Sequence, residues 1–265
     1  MTCDLHIHSC YSFDGTPSPE AICQAARDQG VNIIALTDHC DMLDGPEGIS
    51  AYLACEQELK EAFRKLDTSG LEVLYGVEIG NPHEYQKETE EFLASREFDF
   101  IIGSVHFLPD GSDIYKLPYN TPEEIDDMLR QHFISMQKLV AYGGFDTLAH
   151  LDYPIRKLQG KIPDTSMLRY RELIESVLEL LVAKGIALEI NTRGTYDWQN
   201  RVGPEDWVLE RYRELGGKLV TIGSDAHVTK YVGAGFSEAA AALKRTGFDS
   251  YTIYRKRQPI QIPLK

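Results

Sequence analysis

Three observations predict an α/β fold, a closed barrel of β/α units. Seven short apolar runs, each too short for a helix, alternate with longer stretches of helical period, the pattern of parallel strands joined by crossover helices. Most of these runs end in a histidine or an acid, and β/α barrels gather their functional residues at the C-terminal ends of the strands. No glycine-rich phosphate fingerprint follows any run, which argues against an open dinucleotide-binding sheet.

The first strand, about 3 to 8, carries Asp4-Leu5-His6-Ile7-His8-Ser9. Residues i and i+2 of a strand share a face, so His6 and His8 point together; taken alone, such a pair is as readily a chance pair facing solvent. Ser18-Pro19-Glu20 supplies an N-cap, a proline at the first helical position and an early acid, and Gly30 closes the helix. Val31 to Leu36 is the second strand, ending in Thr37-Asp38-His39 and leading through a Gly/Pro-containing loop to a helix near 50 to 66. Leu71 to Glu78 is the third, followed by a helical stretch around 84 to 96, and Asp99 to His106 is the fourth. Residues 107 to 120 have no periodicity and make a long connection of the kind that covers active sites.

A helix from Thr121-Pro122-Glu123-Glu124 to about Tyr142 precedes a fifth strand, Phe145 to Ala149, which delivers His150. Asp164-Thr165 open a long helix to Lys184, stopped by Gly185. Ile186 to Ile190 is the sixth strand, ending in Asn191-Thr192-Arg193-Gly194. A helix near 204 to 215 leads to the seventh, Lys218 to Ile222, which ends in Gly223-Ser224-Asp225-Ala226-His227. A last helix, about 236 to 246, precedes a short run Tyr251 to Tyr254 and a basic, proline-containing tail.

At 265 residues the chain is expected to form one domain, 1–265. Hydrophobic content of 43% with 26% charged residues and a mean hydropathy of -0.30 are ordinary for a soluble enzyme. No run approaches the roughly 18 apolar residues of a membrane span, and Met1 leads straight into a strand, so a cytoplasmic protein without a membrane partner is expected. Cys3, Cys10, Cys23, Cys40 and Cys55 form no C-x-x-C pair and are read as reduced thiols, with Cys10 and Cys40 expected to be oxidation-sensitive. A net charge of -14 argues against a nucleic-acid partner, although bound cations can reverse the field inside a cleft.

Six of the 8 histidines fall at strand ends. The candidate ligands are His6, His8, Asp14, His39, Glu78, His106, His150, Asp225 and His227. Imidazole with carboxylate suits zinc, manganese or iron, and the absence of convergent cysteines argues against a structural thiolate site. Nine donors exceed the roughly four to six of one ion, so two or three divalent ions sharing bridging carboxylates are expected. Three carboxylates under-neutralise three such ions, leaving a cationic pocket that attracts an anion such as phosphate.

In this order the His-x-His of His6 and His8, the Asp-His of Asp38 and His39, Glu78, His106, His150 and the Asp-x-His of Asp225 and His227 resemble the PHP (polymerase and histidinol phosphatase) family. The resemblance runs from Asp4 to about Phe236 and implies a distorted (β/α)7 barrel with a trinuclear site at the C-terminal ends of the strands. It implies one metal on His6, His8, Glu78 and Asp225, a second on Glu78, His106 and His150, and a third on Asp14, His39 and His227. Asp14 stands where some members have histidine, a change that bears on metal preference. The contexts Ile102-Gly103-Ser104-Val105-His106-Phe107, His150-Leu151-Asp152 and Glu189-Ile190-Asn191-Thr192-Arg193-Gly194 resemble the histidinol-phosphate phosphatase branch. That branch implies hydrolysis of L-histidinol phosphate to L-histidinol and phosphate in histidine biosynthesis.

The chemistry expected is metal-assisted hydrolysis of a small phosphomonoester, with water made nucleophilic at neutral pH and with Glu78, Asp225 and His227 as candidate catalytic residues. Arg156 and Arg193 are expected to clamp the phosphate, since guanidinium holds phosphate oxygens bidentately and keeps its charge. The alternative for either is a surface position or a pair with an acid such as Asp152. Asn191 is a candidate substrate contact, although a strand-end asparagine is at least as often a backbone cap. Asp152 either protonates the leaving group or, the favoured reading, orients a ligand histidine. His83 and His132 are read as surface or packing residues. Two other functions stay open: a PHP phosphoesterase acting on nucleotides or short oligonucleotides, and a metal-binding domain without catalysis, against which the nine intact ligands argue. Oligomeric state is open.

Overall fold

A computed structural model of the chain describes residues 1–43, 48–158, 167–197 and 200–264. Its principal sheet contains β1 (Cys3–Ile7), β2 (Ile33–Leu36), β3 (His39–Asp41), β4 (Glu72–Gly80), β5 (Phe100–Ser104), β6 (Thr147–Leu148), β7 (Ala187–Asn191) and β8 (Val220–Gly223). All pairings are parallel, in the order β1-β2-β4-β5-β6-β7-β8, with β3 beside β4. The short β3 continues β2 after a break at Thr37 and Asp38: β4 pairs with β2 through Glu72 to Tyr75 and with β3 through Glu78 to Gly80. The break has a cause, because the buried Asp38 carboxylate accepts hydrogen bonds from Ser9 N at 2.7 Å, Ser9 Oγ at 2.8 Å and Ser12 Oγ at 2.8 Å.

Closure falls between β8 and β1. The bridge Ile7 to Ala226 joins them, flanked by Asp225 N–H donating to His6 O at 2.7 Å and His8 N–H donating to Ala226 O at 2.9 Å, and Ser224 N–H donates to Asp4 Oδ1 at 2.8 Å. The barrel is thus nearly closed with seven main strands, as expected, and its irregular seam brings the His-x-His of β1 against the Asp-x-His after β8. The strands are buried on both faces, as parallel strands under helices must be: in β2, Ile33 and Ala35 join the main core, while Ile34 and Leu36 pack with Ile22, Cys23 and Ala26 of the first helix.

The helices are α1 (Pro19–Asp28), α2 (Ile49–Lys65), α3 (Gln86–Ala94), α4 (Pro122–Tyr142), α5 (Ile155–Leu158), α6 (Arg171–Lys184), α7 (Asp206–Glu214) and α8 (Phe236–Arg245). Ser18 caps α1 through its hydroxyl, and Thr121 with Glu124 forms a capping box on α4. α6 ends at Gly185 in the left-handed region, φ 65°. Its expected opening at Asp164-Thr165 lies outside the described residues; a 3-10 turn, Met167–Tyr170, runs into α6. The short α5 was not expected from the sequence.

The basic tail is a further departure. It forms β10 (Gln258–Pro263) of an antiparallel hairpin with β9 (Ser250–Arg255), turning on Lys256 and Arg257 with φ 48° and 65°. Pro259 and Pro263 are tolerated because β10 pairs on one side only. The hairpin caps the end of the barrel opposite the strand-end histidines: Thr252 Oγ1 accepts from Val220 N at 3.2 Å, and Arg257 reaches Asp146 at 2.7 Å. The expectation for Cys40 is corrected: it is fully buried, and burial raises its thiol pKa, so oxidants reach Cys10 but not Cys40. No helix among the described residues is long and apolar enough to cross a membrane.

Candidate metal centre and active site

All nine candidate ligands converge at the C-terminal ends of the strands, around Glu78. This glutamate, fully buried in β4, turns one oxygen to each half of the cluster. Oε2 faces His6 Nε2 at 3.3 Å, His8 Nε2 at 3.5 Å and His39 Nδ1 at 3.0 Å. Oε1 faces His150 Nε2 at 2.9 Å and His106 Nε2 at 3.3 Å. Asp225 adds Oδ1 at 3.5 Å from His8 Nε2 and 4.0 Å from His6 Nε2. Asp14, from the loop after β1, places its oxygens 3.0 Å from His227 Nε2 and 3.7 Å from His39 Nε2.

For three of the histidines the other ring nitrogen is engaged by a residue outside this set. His6 Nδ1 lies 2.6 Å from Glu189 Oε1, His106 Nδ1 lies 2.9 Å from Asp41 Oδ1, and His8 Nδ1 lies 3.1 Å from Ser12 Oγ. Such contacts fix ring orientation and leave Nε2 for a cation, the usual support of a metal-binding histidine. Accordingly His6 Nε2, His8 Nε2 and Glu78 Oε2 are buried without a hydrogen-bond partner. Buried polar atoms without partners are costly in a protein interior, and a cation between them satisfies all three, so these residues fit a metal. Ligand-competent atoms come within 4.8 Å of one another in four sets: His6, His8 and Asp225; His6, Glu78 and His150; His8, His39 and His227; His39, Asp41 and His106.

The carboxylates and His8 are held in metal-competent protonation states, whereas facing carboxylates outweigh burial and raise His6, His39 and His106 above their ordinary value. Burial alone would raise the Glu78 carboxyl, yet His6, His106 and His39 hold it well below the usual carboxylate range. Burial opposes the Asp225 charge too, and Arg156, Arg193 and His6 outweigh it. Burial and the neighbouring His39 and His227 push His8 well below its ordinary value, keeping it neutral.

A cavity of about 500 Å³ opens on the cluster. Its walls carry Asp14, His39, His106, His150, Asp225 and His227, both arginines, and Phe107, Asp113, Tyr115 and Lys116 of the long loop. Arg156 Nη2 lies 2.6 Å from Asp225 Oδ2, and Arg193 Nη1 lies 3.4 Å from Asp225 Oδ1. Both guanidiniums therefore pair with a candidate ligand and not with Asp152.

Two expectations need correction. Asn191 is not on the cavity wall: its amide donates to Glu189 at 3.1 Å and accepts from Arg193 N at 3.1 Å and Arg156 Nη2 at 3.3 Å, so it braces the arginines from behind. Asp152 touches no ligand histidine; it points away to Arg201 at 4.0 Å, and a side chain at Gly203 would collide with it. The orienting role falls to Glu189 and Asp41, which the sequence reading passed over. Asp41 follows His39 by two residues and shares its strand face, a signal that was available; a side chain at Gly80 would displace it. His83 and His132 are both buried, and His132 Nε2 donates to Leu151 O at 3.2 Å.

A family model for the PHP domain matches residues 4–193. The chain belongs to the PHP-domain family. This PHP chain is 30% identical over 255 residues to a Thermotoga maritima protein named "Probable histidinol-phosphatase", 96% of each chain being covered. It is 27% identical to a Lactococcus lactis histidinol-phosphatase, covering 95% of this chain and 93% of that one. The crystal structure of the Lactococcus lactis histidinol phosphate phosphatase, complexed with zinc, L-histidinol and phosphate, superposes with a TM-score of 0.79 at 25% identity over 98% of both chains. The barrel fold is therefore shared with a zinc-containing relative.

Proposed function

We propose that this chain is a single-domain, metal-dependent phosphomonoesterase that hydrolyses L-histidinol phosphate to L-histidinol and phosphate, a step of histidine biosynthesis. The observation that carries the reading is that one cavity brings six of the nine ligand-competent side chains, Asp14, His39, His106, His150, Asp225 and His227, together with two guanidiniums. Its likeness over nearly the whole chain to the Lactococcus lactis enzyme supports the identity of the leaving alcohol.

The residues divide the work. Six imidazoles and three carboxylates would hold two or three ions of zinc, manganese or iron: His6, His8, Glu78 and Asp225 around one, Glu78, His106 and His150 around a second, Asp14, His39 and His227 around a third. Bound divalent ions supply charge neutralisation at phosphoryl oxygens and activate water. Glu78 spans the halves of the cluster, one oxygen to each, and Asp225 ties the cluster to both arginines. Arg156 and Arg193, on the cavity wall, bind the phosphate dianion and keep their charge at any working pH. Asp225, His227 and Glu78 are the catalytic residues of this reading, Asp225 and His227 from the cavity wall and Glu78 from beneath it.

A substrate panel with metal content measured in parallel tests the reading. We expect phosphate release from L-histidinol phosphate in preference to nucleoside monophosphates, abolished by exhaustive chelation together with a lower melting temperature, since ligands that bind the folded state stabilise it. Turnover of nucleotides with none of histidinol phosphate would overturn the substrate, and full activity after verified metal removal would overturn the mechanism.

A further inference from the structure

The hydrolysis leaves one role without a residue. When the ester bond breaks, charge builds on the alcohol oxygen, and an alkoxide is a poor leaving group unless a donor meets it. Asp152, the acid nearest His150 in sequence, turns away to Arg201. The other acids on the cavity wall are committed: Asp41 to His106, Asp197 to Arg193, and Asp113 to Lys116 and two backbone N–H groups. Lys116 itself is paired with Asp113 at 2.8 Å and two-thirds exposed.

The next residue fills the gap. A tight turn, with Tyr153 N–H donating to His150 O at 2.8 Å, leaves Asp152 buried against Gly203 and brings the Tyr153 ring onto the cavity wall. That ring lies 4.9 Å from the His150 imidazole and 5.2 Å from that of His106, with the Arg156 guanidinium 5.3 Å over its face. It is thus wedged between the ligand cluster and the arginine that meets the phosphate. Its hydroxyl makes no hydrogen bond among the described residues, whereas Tyr119, Tyr170, Tyr196, Tyr212, Tyr251 and Tyr254 all donate theirs to oxygen acceptors. A half-buried phenol packed this tightly, with no acceptor in the protein, is set to meet one on a ligand.

We propose that Tyr153 is a catalytic residue whose hydroxyl hydrogen-bonds to the departing ester oxygen. The proposal rests on the phosphomonoesterase reading. Water adds its oxygen to phosphorus, the ester P–O bond breaks with its electron pair passing to the alcohol oxygen, and a proton of that water ends on the alcohol. The phenol donates this hydrogen bond and keeps its own proton throughout. Non-bridging oxygens are left to the arginines and the ligand cluster, so Tyr153 acts on the leaving group alone.

Tyr153→Phe removes only the hydroxyl and is compared with the unaltered protein on L-histidinol phosphate, a simple alkyl phosphate and p-nitrophenyl phosphate. We expect kcat to fall on the order of 100-fold on both alkyl esters, as when one preorganised donor at a developing charge is removed. On the aryl ester, whose leaving group needs no donor, little change is expected. Metal content and inhibition by inorganic phosphate should be unaltered. Equal losses on alkyl and aryl esters, or no loss on either, would overturn the assignment. If Y153F lost metal or melted early, a second measurement decides: across alkyl and aryl esters the unaltered protein should show kcat nearly independent of leaving-group acidity, and a steep dependence would sink the proposal. Failure of the function reading looks different, because the unaltered protein would then turn over none of the monoesters. Activity on the alkyl and aryl esters without histidinol phosphate would remove the named substrate and leave the Tyr153 comparison intact.

Discussion

Glu189 Oε1 lies 2.6 Å from His6 Nδ1, and its other oxygen accepts the backbone N–H of His150 at 2.7 Å. One buried acid thus fixes a ring on β1 and the main chain after β6, two parts of the candidate metal centre that no local structure connects. Glu189→Gln keeps the size but leaves one of these donors facing an amide N–H₂. We expect metal affinity to fall on the order of 10- to 100-fold, the usual effect of losing a residue that orients a ligand, with the fold retained. Competition against a chelator measures it, and an unchanged affinity would show that His6 needs no such support.

Arg193 and Arg156 differ in how firmly they grip Asp225. Arg156 holds it at 2.6 Å, so its removal would disturb a candidate ligand as well as the phosphate. Arg193 stands 3.4 Å from Asp225 and 3.2 Å from His227 Nδ1 and also pairs with Asp197, a looser hold on Asp225 that makes it the cleaner probe. Arg193→Ala should cost about 2 to 4 kcal/mol of transition-state stabilisation, the scale for one preorganised donor, with metal content unchanged. Normal kcat and KM at full metal occupancy would show that the ligand cluster alone holds the phosphate.

What was legible in the sequence is what repeats or faces one way. The strand-end histidines could be read because a β/α rhythm gives every strand the same direction, so residues far apart, such as His6, His106 and Asp225, are bound to meet at one end. Glu189 could not be read as a partner of His6, 183 residues away, because an acid within the apolar run Ile186 to Ile190 carries no mark of which histidine lies alongside. Asp152 shows the limit of adjacency: two residues after His150 it has the position of a bracing acid, but the turn at His150 to Tyr153 puts Tyr153 on the cavity wall and Asp152 beside Arg201 and Gly203. The C-terminal hairpin was hidden because its turn uses Lys256 and Arg257 in the left-handed region, where Asn-Gly or Asp-Gly would have announced it.

His132 predicts how stability responds to acid. It is fully buried on α4, its Nε2–H donates to Leu151 O, and burial pushes its pKa down to about 3. In the unfolded chain the same imidazole titrates near 6.5. Between these values the unfolded state binds a proton that the folded state refuses, so stability is complete above about pH 6.5 and is lost as pH falls toward 3. The slope reaches about 1.4 kcal/mol per pH unit for one group, so a loss of about 2 kcal/mol is expected between pH 6.5 and 5. Other groups add to the measured pH dependence, so the informative quantity is a difference between two proteins. His132→Gln can still donate to Leu151 O but cannot be protonated. We expect it to be less stable at pH 7.5, because an amide fills the imidazole site poorly, and to lose about 2 kcal/mol less than the unaltered protein on going to pH 5. Denaturant unfolding at the two pH values, with metal content matched, measures this; parallel losses in the two proteins would show that His132 is not the group that resists the proton.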